Sequence, residues 1–305
     1  MKRIERRHYG YILLSALLFG SYGVWATIIG DQGFGVFYQG WVRAAIILVL
    51  LTPMMFVTKS FRPIARQDWK WMSMCILFCI FTQTPLYYAF TTTGIGISTL
   101  IFYAVFIITS YVVGRLFLGE KLTVIKLGAL FVAFMGLLLM FGFSLVQFSL
   151  TGLALAALNG IASGGEVSIT KKLTGRYSSL FVSYICWSAI FITHLPLSLL
   201  FGETQWVPTI NAAWGAMTMY AVAGLGGFWL VVEGFKRVDA SIGSLIGLLE
   251  IIFGVIFGIL FFSEELRGVV IIGGVMILAA AMLPEVLTLI KHKKYHHANI
   301  PPREM

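Results

Sequence analysis

The chain is 305 residues long; 59% of them are hydrophobic, 11% are charged, and the formal net charge is +9. Ordinary soluble domains are about 45–50% apolar and about 25% charged, so a protein bathed in water on every side is excluded. Ten apolar stretches, each about long enough to cross a hydrocarbon core, set the fold class as all-α, a polytopic membrane protein of ten transmembrane helices. Lipid satisfies no backbone group, and strands of alternating polarity are absent.

In chain order, residues 1–8 form a basic segment (Lys2, Arg3, Arg6, Arg7) ahead of a first span near 9–29. This span is too long for a signal-peptide core and lacks a small-x-small cleavage site before Asp31, so it reads as a retained helix. Tyr22 and Trp25 lie in its second half. The second span, 35–57, carries Arg43 one turn after Gln39 on the same face. A loop with Phe61-Arg62-Pro63 and Trp69-Lys70-Trp71 reads as an interfacial anchor. The third span, 70–90, contains Gln83-Thr84-Pro85, where proline removes a hydrogen-bond donor, and then Tyr87 and Tyr88. Its Cys75 and Cys79, with Cys186, form neither a disulfide framework nor a metal set and read as small packing residues. The fourth span, 96–117, presents Thr99, Tyr103, Phe106, Ser110 and Gly114 at helical spacing, ends in LFLGEKL (Leu116 to Leu122), and leads to the fifth, 122–142.

The sixth span, 150–170, carries a polar stripe of Asn159, Ser163, Glu166 and Thr170; Glu166 is also placed to pair with Lys171 or Lys172 at the surface. The seventh, 178–200, holds His194 beside Pro196, read as a hydrogen-bonded interior histidine. In the eighth, 212–235, glycines cluster at Gly224, Gly226 and Gly227 before Trp229, at the offset that matches Gln83 to Pro85, so both helices are expected to be weak points. In the ninth, 240–262, Gly243, Gly247, Glu250, Gly254 and Gly258 fall in a sector less than about 90° wide. Small residues let helices approach closely, so Glu250 is aimed at protein or a water-filled cavity and away from lipid. The tenth span, 268–290, precedes a basic tail, 291–305, whose KHKKYHH (Lys291 to His297) reads as an anchor to anionic lipid. Asp31, Asp68 and Glu203 fall in loops and read as solvated charge.

With the N-terminus in the cytoplasm and ten alternating spans, all of the 22 lysines and arginines except Arg43 and Arg267 fall on the cytoplasmic side, as the positive-inside rule requires. The basic balance is thereby explained by topology, and no nucleic-acid partner is expected. Both termini are assigned to the cytoplasm and the protein to the plasma (inner) membrane.

LFFSEEL (Leu260 to Leu266) nearly repeats LFLGEKL, and aligning Glu264 with Glu120 gives an offset of 144 that also superposes Gly258 on Gly114 and Phe261 on Phe117. The chain is therefore two repeats, 9–143 and 150–290. Five spans per unit is an odd number, so the second unit enters the membrane from the opposite side, and the two are inverted five-helix repeats. Lys121 has no counterpart outside because the loop has changed sides. Inverted repeats are the mark of alternating-access transporters, with solute held near the midplane between the halves.

LYYAFTTTGIGIST (Leu86 to Thr99), LFLGEKLTVIKLGALFVAFMG (Leu116 to Gly136) and the echo WLVVEGFKRVDASIGSLIGLLEIIFG (Trp229 to Gly254) resemble the paired EamA-type domains of the drug/metabolite transporter superfamily, over Tyr9 to Ile290. The resemblance implies ten helices, no cofactor, and efflux of amino acids or other small metabolites. Arg43 stands where such proteins often place an arginine. Glu250 stands where the ninth helix often reads Glu-Pro; Ile251 replaces that proline, so the kink a proline imposes is not written here.

Ionisable groups inside a bilayer are costly, about 2.5–3.5 kcal/mol at a helix centre on insertion scales, and mark functional candidates. The expected solute-binding set is Arg43, Glu250, Asn159, Gln83, Tyr87, Tyr103, Trp229 and Tyr22, with Glu250 and Glu166 as coupling groups. The leading expectation is a secondary transporter that exports amino acids or similar metabolites by alternating access with proton coupling. Its alternative is a proton/organic-cation antiporter in which Glu250 is the exchange site. A membrane-embedded sensor or enzyme is the reading from another class; no nucleophile–base pair, metal set or nucleotide fingerprint supports an enzyme. Expected partners are a small-molecule solute and membrane lipids; a monomer is compatible with the sequence, which does not specify the oligomeric state.

Overall fold

The computed structural model describes residues 3–82, 84–142 and 149–298. Its helices, in order, are α1 (Arg3–Gly20), α2 (Tyr22–Gly30), α3 (Val36–Val57), α4 (Trp69–Ile80), α5 (Thr84–Thr93), α6 (Ile95–Phe117), α7 (Val124–Phe141), α8 (Leu150–Leu173), α9 (Ser179–Leu200), α10 (Ala212–Phe235), α11 (Ala240–Gly247), α12 (Leu249–Phe262) and α13 (Gly268–Ala298). No strand occurs among the described residues. Among the described residues nine helical spans are long and apolar enough to cross a membrane, and Gly268–Pro284 of α13 supplies a shorter apolar tenth. The protein is thus an all-α polytopic membrane protein.

Three spans are made of two helices each: α1 with α2, α4 with α5, and α11 with α12. The break in the third span falls where Thr84 and Pro85 begin α5; Gln83 itself lies outside the described residues. The eighth span does not break. Its α10 runs through Gly224, Gly226 and Gly227, and the reason is packing: a Cβ at Gly224 would lie 2.8 Å from the Tyr22 hydroxyl, and one at Gly227 would lie 2.6 Å from the Phe19 ring. Those glycines seat the rings of the first span and do not loosen the helix. The ninth span breaks at Leu248 with no proline to cause it. There the Ile251 amide bonds the Leu248 carbonyl in an i+3 turn.

The packing carries the duplication. The sixth span packs on the third and fourth, and the first packs on the eighth and ninth, which are the same pairings with the halves exchanged; the second pairs with the seventh and the fifth with the tenth. One detail fixes the register. Gly164 presses on the Phe106 carbonyl, and 144 residues away the equivalent pair recurs, with a Cβ at Gly20 calculated to fall 2.9 Å from the Glu250 carbonyl. On the seam between the fifth and tenth spans, Gly136 and Gly273 each face the other's carbonyl oxygen, so a Cβ on either would fall 2.8 and 2.6 Å from it.

At one end of the bundle the basic loops are tied together. Lys126 bonds Asp239 at 2.7 Å, Lys171 bonds Glu120 at 3.0 Å, and Arg176 Nη1 donates to both Asp68 oxygens at 2.9 Å, with the Tyr177 hydroxyl donating a third bond. Asp68 is buried and partnered, not simply solvated. Glu203, at the opposite end, accepts from the Phe37 and Tyr38 amides at 3.1 and 2.6 Å, so its charge satisfies orphan donors at the start of α3.

Candidate functional site

The three broken spans, together with α6, α8, α9 and α10, line a cavity of about 510 Å³. Breaks put backbone of irregular geometry against this space, the situation in which a membrane protein tolerates it. The cavity extends from Ile12, Phe235 and Gly243 near the basic end to Phe90, Ile95 and Glu264 at the opposite end. The ion-paired loops close it at the basic end.

Gly243, Gly247, Glu250 and Gly254 all line it, as do Thr99, Tyr103 and Phe106. These members of the two stripes therefore face one space, whereas Gly114 and Gly258 at the stripe ends lie under Glu120 and Glu264. The Glu250 carboxyl shares the cavity wall with Tyr103 and has no ion pair among the described residues. Glu166 lines the same cavity at 7% exposure, again without a counter-charge among the described residues. It forms no bond with Lys171, whose amine goes instead to Glu120 and the Val238 carbonyl.

Tyr22 and Tyr87 also line the cavity, and the Tyr87 and Tyr220 hydroxyls lie 2.6 Å apart. The offset of 144 pairs Tyr22 with Glu166 and Phe106 with Glu250. All four face the cavity, so the first half contributes rings where the second contributes carboxylates. No lysine, arginine or histidine appears among the described lining residues.

Arg43 is not among the lining residues. It is 1% exposed, and its guanidinium lies 4.1 Å from the Tyr220 ring centroid, 5.2 Å from Trp187 and 5.4 Å from Tyr22. Its three side-chain nitrogens find no hydrogen bond of normal geometry among the described residues. Cation–π contacts contribute about 2 kcal/mol or more when desolvated, which leaves much of the burial penalty of the charge unanswered. Tyr22, Trp187 and Tyr220 all line the cavity on their other sides, so the cation stands one ring-layer behind its wall.

Two expected residues lie elsewhere. Asn159 is fully buried and its amide donates to the Phe81 carbonyl at 3.1 Å, holding the end of α4 at the break; Ser163 Oγ bonds its other side at 3.4 Å. Trp229 is 36% exposed and absent from the lining. His194 bonds Thr84 Oγ1 at 2.9 Å and Thr193 Oγ1 at 3.1 Å, an interior histidine that pins α5 to α9. Sequence reasoning passed over Tyr220 and Trp187. Trp187 is the residue 144 positions after Arg43, a signal that the repeat alignment contained.

The cysteines converge. Cys75 and Cys186 sulfurs are 3.6 Å apart, and Cys79, Cys186 and Glu166 place one potential ligand atom each within 4.8 Å of one another. The Cys79 thiol is directed at the Ile76 and Cys186 carbonyls, which is the hydrogen bonding of buried packing thiols.

Residues 7–142 and 150–284 each match the model of the EamA-like transporter family. A Haemophilus influenzae protein named "Uncharacterized transporter" is 28% identical over 120 residues, which cover 39% of this chain and 70% of that protein. A solved crystal structure shares the fold with a TM-score of 0.80 at 15% identity, over 93% of this chain and 98% of its own.

Proposed function

The chain belongs to the EamA-like transporter family, and from that premise we propose that it is a secondary transporter for small organic solutes that carry a protonated amine on an apolar body. The observation that carries this reading is the composition of the cavity wall, with the Glu250 and Glu166 carboxylates midway along it, Phe106 and Tyr22 rings at the equivalent positions of the other half, a third carboxylate, Glu264, at the mouth, and no base among the described lining residues. Glu250 and Glu166 would meet the ammonium, and Phe106, Tyr22 and Phe102 would take the apolar body. A ring face also attracts a cation. The carboxylates, once vacated, would accept protons, which couples solute export to proton entry.

The amino-acid reading rests on a separate observation, the unpaired Arg43 guanidinium behind Tyr22 and Tyr220. A rotation of the Tyr220 ring would open it to a solute carboxylate, which arginine holds in bidentate fashion. A thermal-shift panel of hydrophobic amines, amino acids and matched carboxylic acids on the purified protein separates the two, because binding to the folded state alone raises apparent stability. Amines that stabilise the wild type but not Glu250→Gln support the cation reading. Stabilisation by amino acids and not by their decarboxylated amines supports the zwitterion. Stabilisation by the carboxylic acids alone would overturn both.

A further inference from the structure

We propose that Glu120 and Glu264 are two alternating helix latches, one engaged in the conformation described here and the other open, and that exchange between them turns the cavity from one side of the membrane to the other. The proposal rests on the transporter reading and adds to it the residues that hold each state.

The engaged latch is at the basic end. The turn after α6 returns the Glu120 amide to the Gly114 carbonyl at 2.9 Å and folds the side chain over Gly114, where a Cβ would sit 2.8 Å from its oxygen. From there the carboxylate, 7% exposed, accepts from the Ala240 amide at 2.7 Å and from the Ser241 amide and hydroxyl at 3.4 and 3.3 Å. These are the first donors of α11, which no intrahelical acceptor serves, and a carboxylate there also meets the positive end of the helix. Lys171 adds its ion pair. The bond ties the first repeat to the second across the closed end of the cavity.

At the opposite end the same parts stand unjoined. The Glu264 amide returns to the Gly258 carbonyl at 3.4 Å and its carboxylate lies over Gly258, as Glu120 lies over Gly114. The side chain is exposed at the cavity mouth, and no described residue gives it a hydrogen bond or an ion pair. Its targets by the 144 offset are the Gly96 and Ile97 amides at the start of α6, a 23-residue helix whose N-cap, Gly94, offers no side-chain acceptor. One residue on, the Ser98 hydroxyl is fully buried without a partner. Trp25 stacks edge-on against Phe261, so α2 already lies beside the end of α12. Closing the mouth would bring Glu264 onto the α6 donors while Glu120 releases those of α11.

The two latches are unequal. Lys171, Lys126 and Asp239 correspond to Thr27, Val270 and Ile95, so the outer latch has the carboxylate and the helix end but no ion pair. The conformation with the basic end closed is accordingly favoured in the absence of solute.

The test needs no solute. In a protein with Cys75, Cys79 and Cys186 replaced by serine or alanine, Thr99→Cys at the cavity mouth is labelled with a membrane-impermeant maleimide. Adding Glu120→Gln should shift the open-to-closed ratio of the mouth about fivefold or more toward closed, the factor that corresponds to one helix-terminal carboxylate interaction, and slow labelling accordingly, because the basic end unlatches and the mouth closes. Adding Thr27→Lys, which supplies the missing base, should slow it by a similar factor, and Glu264→Gln on top of Thr27→Lys should restore the original rate. All variants are first required to elute as monodisperse protein; Glu264→Ala serves if Glu264→Gln does not. Unchanged labelling in Glu120→Gln, or slowing by Thr27→Lys that survives removal of the Glu264 charge, would overturn the latch. Neither result touches the solute reading, which is measured by binding.

Discussion

Set side by side, the two seams of this molecule share a backbone and differ in what they present. On one, Gly164 of α8 lies against the Phe106 carbonyl of α6; on the other, Gly20 of α1 lies against the Glu250 carbonyl at the start of α12. The main-chain geometry has been kept by the duplication because a glycine at each crossing is what lets the helices approach. The side chains that emerge beside it are a ring in one half and a carboxylate in the other, and the exchange is repeated where Tyr22 stands opposite Glu166. Shared backbone holds the halves together, and at these two equivalent positions the divergent side chains give the cavity carboxylates from one half and rings from the other.

The largest effect is expected from breaking a seam. Gly164→Leu would drive its side chain into the Phe106 carbonyl and Thr109. Overpacking of this kind costs about 1–3 kcal/mol or more, so the variant should lose monodisperse elution in detergent or melt well below the wild type. Gly175→Leu, outside the seam with open space around its Cβ, should melt with the wild type.

A milder change asks whether the two carboxylates are equivalent. Glu166→Gln, with its oxygens beside Cys79 and Cys186, should slow amine flux in proteoliposomes about tenfold, the scale of one removed charge-assisted hydrogen bond, while the protein folds as before. Flux equal to the wild type would confine the charged wall to Glu250.

Arg43 sharpens the comparison further. Arg43→Gln removes a buried cation whose neighbours are three rings. The cation reading expects amine affinity to change less than about threefold, since the charge stands behind the wall and the rings persist, whereas the zwitterion reading expects amino-acid binding to disappear. Isothermal titration with the best stabilising solute distinguishes the outcomes.

The smallest effect concerns the tied basic end. Burial pushes the Asp239 carboxyl up, but the Lys126 hydrogen bond and the charges of Lys126 and Lys171 outweigh it and hold the carboxyl below its usual range. A lowered folded value means that the contribution is present above the ordinary carboxylate pKa and is lost as pH falls through the folded value. The wild type should therefore lose a little more stability than Asp239→Asn on acidification below about pH 4, and the two melting curves should converge there. The difference at neutral pH will be small because the side chain is 42% exposed and screened.

The ten spans, the inverted duplication and the orientation of the Glu250 stripe were legible because lipid imposes length and the repeat imposes register. Breaks in the first and ninth spans were not. Neither Gly20-Ser21 nor Gly247-Leu248 has a proline, and the interruptions occur where the two spans press on each other, a tertiary cause. The glycines of α10 misled for the related reason that the same residue type loosens a helix in isolation and seats a ring when a neighbour supplies one, here Phe19 and Tyr22. Asn159 sat on the right face by spacing, yet its amide is used to hold the Phe81 carbonyl; spacing gives direction and says nothing of what stands nearer than the cavity. Arg43's ring layer required Tyr220 from a distant helix, which no local pattern announces.

The central claim is that the Glu250 carboxylate, facing the cavity between the halves, exchanges protons for an amine-bearing solute. Its most direct test is amine flux driven by a pH gradient in proteoliposomes, comparing wild type with Glu250→Gln. The account expects the gradient to accelerate the wild type and to leave the variant with no gradient-driven flux at all. Equal acceleration of both proteins would contradict it.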